Sequence, residues 1–257
     1  MAMNTFIEFQ DVSFSYHTVS GETPALHHIN FSVNRNDFVA IVGPSGCGKS
    51  TLLSMLCGLI RPEYGSIKID GIPLSGKDLT SIGYMLQKDQ LFEWRTIEKN
   101  ILLGLEIQKK QNPESLAYAQ TLLKTYGLSD FRNAKPSELS GGMRQRAALI
   151  RTLVLKPELL LLDEPFSALD YQTRLNTAND IGNIIKKEHK TAILVTHDIS
   201  EAVSLGSQVV VLTRRPATVK RVIPVQFPSG LTPLERRNTP EFKTYFNLIW
   251  KELNEHA

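Results

Sequence analysis

The sequence predicts an α/β fold with a parallel core sheet, an N-terminal antiparallel β patch and an inserted helical lobe. Three observations lead there. Apolar runs at 38–42, 159–162 and 191–195 are unbroken rather than alternating, as in parallel strands covered on both faces. Residues 6–16 and 25–33 instead alternate and carry β-branched and aromatic side chains, the pattern of strands in a β patch. From roughly 90 to 155, between the first apolar run and the other two, the spacing is helical.

Composition sets the outer bounds. A chain of 257 residues is long enough to bury one full core with a lobe inserted in it. At 42% hydrophobic and 21% charged it reads as a soluble globular protein. The formal net charge of +3 is small and its bases are scattered, which gives no support for a nucleic-acid partner. Two cysteines, Cys47 and Cys57, are too few for a disulfide framework and suit a reducing compartment. There is no apolar run of about eighteen residues, and the opening MAMNTFIEFQ lacks a secretory h-region. The expectation is a cytoplasmic chain that does not itself span a membrane.

Taken in order, the first two strands are expected to flank a loop over 17–24. Tyr16 ends the first of them, where its ring either packs at the strand end or stacks on a base. The apolar run Phe38–Val42 leads into GPSGCGKST: Gly43, Pro44, Ser45, Gly46, Cys47, Gly48, Lys49, Ser50 and Thr51. An apolar-rich helical stretch follows. Strand, glycine-rich loop and helix start are what a phosphate-cradling loop requires. The glycines let backbone N–H groups converge on one anion, and the helix beginning near Lys49 adds its unpaired N–H groups. Lys49 would reach the β- and γ-phosphates, and the Ser50 hydroxyl would ligate Mg²⁺. An ordinary turn with a surface lysine would not match every constrained position. A nucleoside triphosphate is the expected ligand.

A short strand at 65–71 completes the β patch. Ile82–Leu86 is a further short apolar run, with Gln87 after it and the loop KDQLFEWRT at 88–96. Helices are expected over Thr96 to about Lys110 and over 113–128, the latter between Pro113 and Gly127. In LSGGMRQR, residues 139–146, Ser140 is a good N-cap, and Gly141 and Gly142 let a partner approach the backbone. This stretch reads either as a plain capped helix or as a second helix start built to receive an anion. LLLLDEP stops on two acids, Asp163 and Glu164, and TAILVTHD delivers His197 in the same way. Ligands in such sheets lie beyond the carboxyl ends of the strands, so three runs bring polar chemistry to one edge. A further strand at 208–213 carries none.

With these residues in order, the sequence resembles the nucleotide-binding subunit of the ATP-binding cassette transporters over about residues 6–225. The resemblance rests on Tyr16, GPSGCGKST, Gln87, LSGGMRQR, LLLLDEP with SALD (Ser167–Asp170), and His197. Met143 stands where the family often has Gln, while the Ser-Gly-Gly core is intact. The fold implied is a P-loop NTPase cassette occupying 1–257 as one domain. Its core would take about 1–89 and 156–225, its helical lobe about 90–155 and a short helical tail about 226–257. The resemblance also implies ATP and Mg²⁺ as cofactors, with Ser50, Asp163 and Gln87 at the metal. Glu164 would be the base, His197 would bond the γ-phosphate, and Gln87 would sense metal and nucleophile. Two copies, or this chain and a homologous subunit, would meet head to tail. Ser140, Gly141 and Gly142 would then face the other copy's nucleotide, and Asp170 would support the seam. The loop LFEWRTIEKNILLGLE is similar to that of the nitrate, sulfonate and taurine importer group, which includes transporters of thiamine-related pyrimidines.

That resemblance implies integral membrane permease subunits as partners, a solute-binding protein acting indirectly, and a peripheral place on the cytoplasmic face of a bacterial membrane. Trp94 would face the permease, or else lie in the core. Other readings compete. A lone P-loop kinase or GTPase has no use for LSGGMRQR, SALD and His197 in this order. Cassettes of DNA repair or chromosome organisation carry a long coiled coil, and those of translation carry two cassettes in one chain. An export ATPase shares every catalytic residue; only the EWRT loop and the short, separate chain lean to import.

Overall fold

The computed structural model describes residues 5–19, 21–76 and 79–254. Two sheets and a set of helices pack around three clusters of buried apolar residues. The first sheet is antiparallel, in the order β2-β1-β4-β5, formed by β1 (Thr5–Thr18), β2 (Gly21–Asn34), β4 (Tyr64–Ile69) and β5 (Ile72–Pro73). Between them in the chain lie β3 (Phe38–Val42) and α1 (Lys49–Leu56). The expected loop over 17–24 is shorter than predicted. Both strands run into it, and His17 pairs with Glu22 and Thr18 with Gly21. Pro24, read as a loop residue, lies on β2, the edge strand of that sheet, where the register with β1 shifts, both of them settings that admit proline.

The second sheet has six strands in the order β10-β9-β3-β8-β7-β6. Its members after β3 are β6 (Ile82–Met85), β7 (Leu159–Asp163), β8 (Thr191–Val195), β9 (Gln208–Leu212) and β10 (Val219–Pro224). All neighbours pair in parallel except β10, which runs antiparallel to β9. The parallel core expected from the unbroken apolar runs is therefore present, with one antiparallel strand added at its rim. Sequence reasoning missed β10, since Lys220, Arg221 and Pro224 break the apolar pattern. An edge strand with one solvated side accepts them.

Alternate residues along each parallel strand feed opposite faces. Leu159 and Leu161 pack with the antiparallel sheet and α1, while Leu160 and Leu162 pack with the helices of the lobe and α6 (Tyr171–Lys187). In β3, Val39 and Ile41 take the first face, and Ala40 and Val42 face α7 (Ile199–Leu205) and α9 (Pro240–Asn254). Both faces are covered, so no polar residue is tolerated between the strand ends.

The segment between β6 and β7 is helical: α2 (Ile97–Ile101), α3 (Leu103–Ile107), α4 (Pro113–Thr125) and α5 (Gly141–Leu153). The single helix expected over 96–110 is two short ones. α4 opens on a capping box, Asn112 Oδ1 accepting from Ser115 N (2.9 Å) and Ser115 Oγ from Asn112 N (3.0 Å). After β10 a short helix, α8 (Pro233–Arg236), precedes α9. No helix among the described residues is long and apolar enough to cross a membrane.

Candidate nucleotide site

Because β3, β8 and β7 are parallel neighbours in register (Ile41 with Val195, Val195 with Asp163), their carboxyl ends lie at one level. The Gly43–Thr51 loop, Asp163–Glu164 and His197 all leave from that edge. The loop joins β3 to α1, whose N-cap is Gly48 with φ 120° and no side-chain cap. A Cβ there would lie 2.8 Å from Leu26 Cδ2, so only glycine fits both the backbone and the space. No acidic residue occupies the first turn of α1. Its free N–H groups and positive dipole end are thus left for an anion.

Lys49 is buried, and its Nζ donates to the carbonyls of Gly43 (2.8 Å) and Pro44 (3.0 Å). The ammonium is therefore held over the loop by acceptors that leave its charge uncompensated. Cys47 is buried too, and burial pushes its thiol up, so it stays a neutral, small filler under the loop. Tyr16 is half-exposed; its hydroxyl shares a hydrogen bond with Thr51 Oγ1 (3.0 Å), and its ring meets Phe14 edge-on at 4.9 Å.

Ser50 Oγ donates to Asp163 Oδ1 (3.2 Å), and the Tyr84 hydroxyl donates to Oδ2 (3.1 Å). Burial raises the Asp163 carboxyl, opposed by those two hydrogen bonds. Tyr84, on β6, was not singled out from the sequence; its only signal was a polar atom in a short apolar run ending at Gln87. Glu164 follows with φ 44°, a left-handed conformation that costs a non-glycine residue about 1–2 kcal/mol. Three contacts hold it there: its N–H donates to Val195 O (2.9 Å), and Ser167 donates to its carbonyl through N (3.2 Å) and Oγ (2.9 Å). The turn aims the Glu164 carboxylate at His197, Oε2 lying 3.0 Å from Nδ1.

Gln87 does not reach Ser50 or Asp163 by any hydrogen bond among the described residues. Its Nε2 donates to Ser167 Oγ (3.2 Å), which leaves the amide oxygen free. A serine hydroxyl, a carboxylate and an amide oxygen form a hard-oxygen donor set that suits Mg²⁺. No group of three or more His, Cys, Asp or Glu that could hold a metal ion is found among the described residues.

The second predicted anion site is built differently. Ser140 caps α5, its Oγ accepting from Met143 N (3.3 Å), and it is exposed. Gly142 is buried where a Cβ would lie 2.6 Å from Thr177 Oγ1, so glycine here permits close packing of α5 on α6. No hydrogen bond among the described residues joins Ser140–Gly142 to Gly43–Thr51. Asp170 is exposed and caps α6, accepting from Thr173 N (3.1 Å); hydrogen bonding from the Thr173 side chain, then from its backbone, holds the carboxyl below the ordinary range.

Arginines on α5 tie this helix to the loop after Gln87. Arg144 donates to Asp89 Oδ2 (3.1 Å) and to Leu139 O (2.8 Å); Arg151 donates to the carbonyls of Asp89 and Gln90 (both 2.7 Å). Farther along, the fully buried Asn100 accepts from Phe92 N (2.7 Å) and donates to Phe92 O, Arg95 O and Thr96 O. Asn100 and Arg151 did not stand out in the sequence, and Arg144 stood there only as part of LSGGMRQR, because each acts on groups several residues or a helix away. Trp94 is 73% exposed and lies against Phe92, the rings tilted by 32° with centroids 4.7 Å apart, which removes the core reading.

A parallel sheet whose strand ends carry a glycine loop, two acids and a histidine defines a nucleotide-hydrolysing α/β cassette. The model of the family described as ABC transporter matches residues 26–167. The chain belongs to that family, as an ATP-binding subunit with ATPase activity coupled to transport. It is 46% identical to an uncharacterized ABC transporter ATP-binding protein, YtlC, of Bacillus subtilis, over 97% of this chain and 96% of that one. It is 38% identical to the aliphatic sulfonates import ATP-binding protein SsuB of Bacillus licheniformis, over 91% of this chain and 88% of that one. Among solved structures, a dimeric post-hydrolysis state of the cassette MJ0796 bound to ADP and Pi superposes with a TM-score of 0.72 at 30% identity. That match covers 86% of this chain and all of the other.

Proposed function

We propose that two copies of this chain clamp two ATP molecules, each between Gly43–Thr51 of one copy and Ser140–Gly142 of the other. One observation carries the proposal: a phosphate loop, base and histidine assembled at one strand edge, and a second anion-type helix start left exposed and unjoined to it. That MJ0796 is dimeric in its ADP- and Pi-bound state supports the involvement of two copies.

In this reading Tyr16 stacks on the base, and Gly43 to Thr51 wrap the phosphates with backbone N–H groups. Lys49, already pinned above the loop, meets the β- and γ-phosphates as a point charge. Ser50, Asp163 and Gln87 would hold Mg²⁺, which when bound neutralises charge on the phosphate oxygens. Glu164 accepts the proton of the attacking water at its carboxylate. His197 shares a hydrogen bond with Glu164 and donates to the γ-phosphate. Asp170, at an exposed helix start beside Tyr171, supports the seam between copies. Once the γ-phosphoryl group is cleaved, the bridge between copies is lost and they separate.

The work is delivered to integral membrane permease subunits through the Phe92–Trp94 loop, with a solute-binding protein upstream and the chain peripheral on the cytoplasmic face of a bacterial membrane. We read 1–257 as one cassette domain with its lobe at about 90–155. Import of a small solute of the nitrate, sulfonate or taurine class is supported by that loop and by the likeness to an aliphatic sulfonates import protein. The test is Glu164→Gln. Turnover should fall about 10²–10⁴-fold while ATP binding persists, and the variant should sediment as a dimer in ATP. Near-normal turnover, or a fully active monomer, overturns the reading.

A further inference from the structure

Two loops that the proposed chemistry uses, 164–170 and 196–198, are joined by a side chain that takes no part in it. Arg174 lies one turn into α6, its backbone N–H on the Asp170 carbonyl (2.8 Å). Its Nη2 donates to Leu169 O (3.0 Å), and its Nη1 lies 3.8 Å from Asp198 Oδ2. Its Nε is buried with no hydrogen-bond partner, so the side chain is not placed there to satisfy its own donors.

The far end of the contact is just as constrained. Asp198 Oδ1 accepts from Ser200 N (2.7 Å) and Glu201 N (3.3 Å), which caps α7 and leaves Oδ2 for Arg174. Asp198 N donates to Thr196 Oγ1 (3.0 Å), and that hydroxyl donates to the buried Glu201 Oε2 (2.6 Å). Both neighbours of His197 are thereby fixed, and the imidazole projects between them toward Glu164. Arg237, whose guanidinium also feels the Asp198 charge, donates to Ser204 Oγ (3.4 Å). Arg174 alone among these reaches both loops.

We propose that Arg174 is a positioning residue for hydrolysis: its two Nη groups hold the carbonyl beside Asp170 and the carboxylate beside His197 at a fixed separation. Movement of the seam loop on meeting the second copy is delivered through a rigid, planar fork to the histidine loop. Lysine, whose three donors all sit on one nitrogen, cannot span the two loops as separate Nη groups do. The inference rests on the two-copy ATPase read above and adds to it a link inside each copy.

The test uses the full chain. ATP hydrolysis per mole of chain is measured first against wild-type protein concentration, down to high dilution; a turnover per chain that is constant throughout removes the two-copy reading itself, whatever Arg174 does. Given a concentration-dependent wild type, Arg174→Ala should lower kcat at least about tenfold with KM for ATP within about twofold. Its thermal midpoint should stay within a few degrees of wild type. Asp198→Asn, which keeps the capping oxygen and removes the charge, should lower kcat in the same way. The double variant should be no slower than the slower single, and Arg174→Lys should recover only part of the loss. An unchanged kcat, a loss that follows the unfolded fraction, or effects that multiply in the double variant would each overturn the link.

Discussion

The Gly43–Thr51 side of the site and the Ser140–Trp94 side are built to opposite specifications. On the first, polar groups are satisfied within the chain: Lys49 on two carbonyls, Ser50 and Tyr84 on Asp163, His197 on Glu164. On the second, the backbone is held from within by Asn100, Arg144 and Arg151, yet the outward side chains meet only their own turns: Ser140 and Asp170 cap their helices, and Trp94 lies against Phe92. Ser140, Asp170 and Trp94 are all exposed. The difference teaches how labour is divided. On the reading proposed above, the preorganised half binds nucleotide by itself, whereas the outward half contributes only when another chain meets it.

The strongest way to break that contrast is Ser140→Arg. A bulky cation at the start of α5 obstructs an approaching phosphate-bearing copy without touching the strand-end half. ATPase should fall below detection, more than about 10³-fold, while nucleotide binding by the monomer, followed by fluorescence titration, stays as in the wild type. Loss of binding as well would show that the two halves are not separable.

Next in size is Asn100→Ala, which attacks the support of the outward half. The buried amide makes one accepted and three donated hydrogen bonds, and its removal strands the Phe92 N–H and three carbonyls. Destabilisation of about 2–4 kcal/mol is expected in urea unfolding, with the m-value unchanged. Smaller losses would mean that the loop around Phe92 relaxes to water and is softer than its hydrogen bonds indicate.

These two residues also mark what was legible beforehand. Ser140 stood in a motif whose order along the chain is informative, and the strand-end chemistry was readable because buried parallel strands must be apolar until they stop. Asn100 was invisible: a single polar residue in a helical stretch gives no sign of which distant carbonyls it meets. The same holds for Arg144, Arg151 and Tyr84, whose partners are fixed by tertiary packing rather than spacing. β10 was hidden for the reverse reason, as its edge position admits Lys220, Arg221 and Pro224. Gln87 was placed correctly after a strand, but its bond to Ser167 rather than to Ser50 or Asp163 depends on how loops meet.

Glu201→Gln sharpens the comparison from beneath the strand-end half. Burial pushes the Glu201 carboxyl from 4.5 up to about 7, partly opposed by the Thr196 hydroxyl. The folded state then holds a proton that the unfolded chain releases near its ordinary value, so wild-type stability falls as pH rises between about 4.5 and about 7. Above that window the penalty is constant. The glutamine variant keeps an acceptor for Thr196 and cannot ionise. Its thermal midpoint should match wild type near the acid end and exceed it above the window, by up to about 3 kcal/mol in stability. Parallel pH profiles for the two proteins would place the ionisation elsewhere.

The smallest effect on the isolated chain, and the one that best separates the halves, is expected from Trp94→Ala. A side chain 73% exposed buries little on folding, and its neighbour Phe92 keeps its backbone anchors on Asn100. The Trp94 carbonyl stays on Lys135 Nζ (2.7 Å) whatever the side chain. Stability should therefore change by less than about 0.5 kcal/mol, and ATP hydrolysis by the purified chain should be unaltered. An indole held rigid at the tip of so well-anchored a loop gains its value from a surface that covers it. If the proposed permease and solute-binding partners are right, the wild type reconstituted with them in vesicles should be stimulated by solute-loaded binding protein, and the variant should not. If stimulation survived intact, the aromatic tip would not be where the two kinds of subunit meet, and the outward half would be reserved for the second ATPase copy alone.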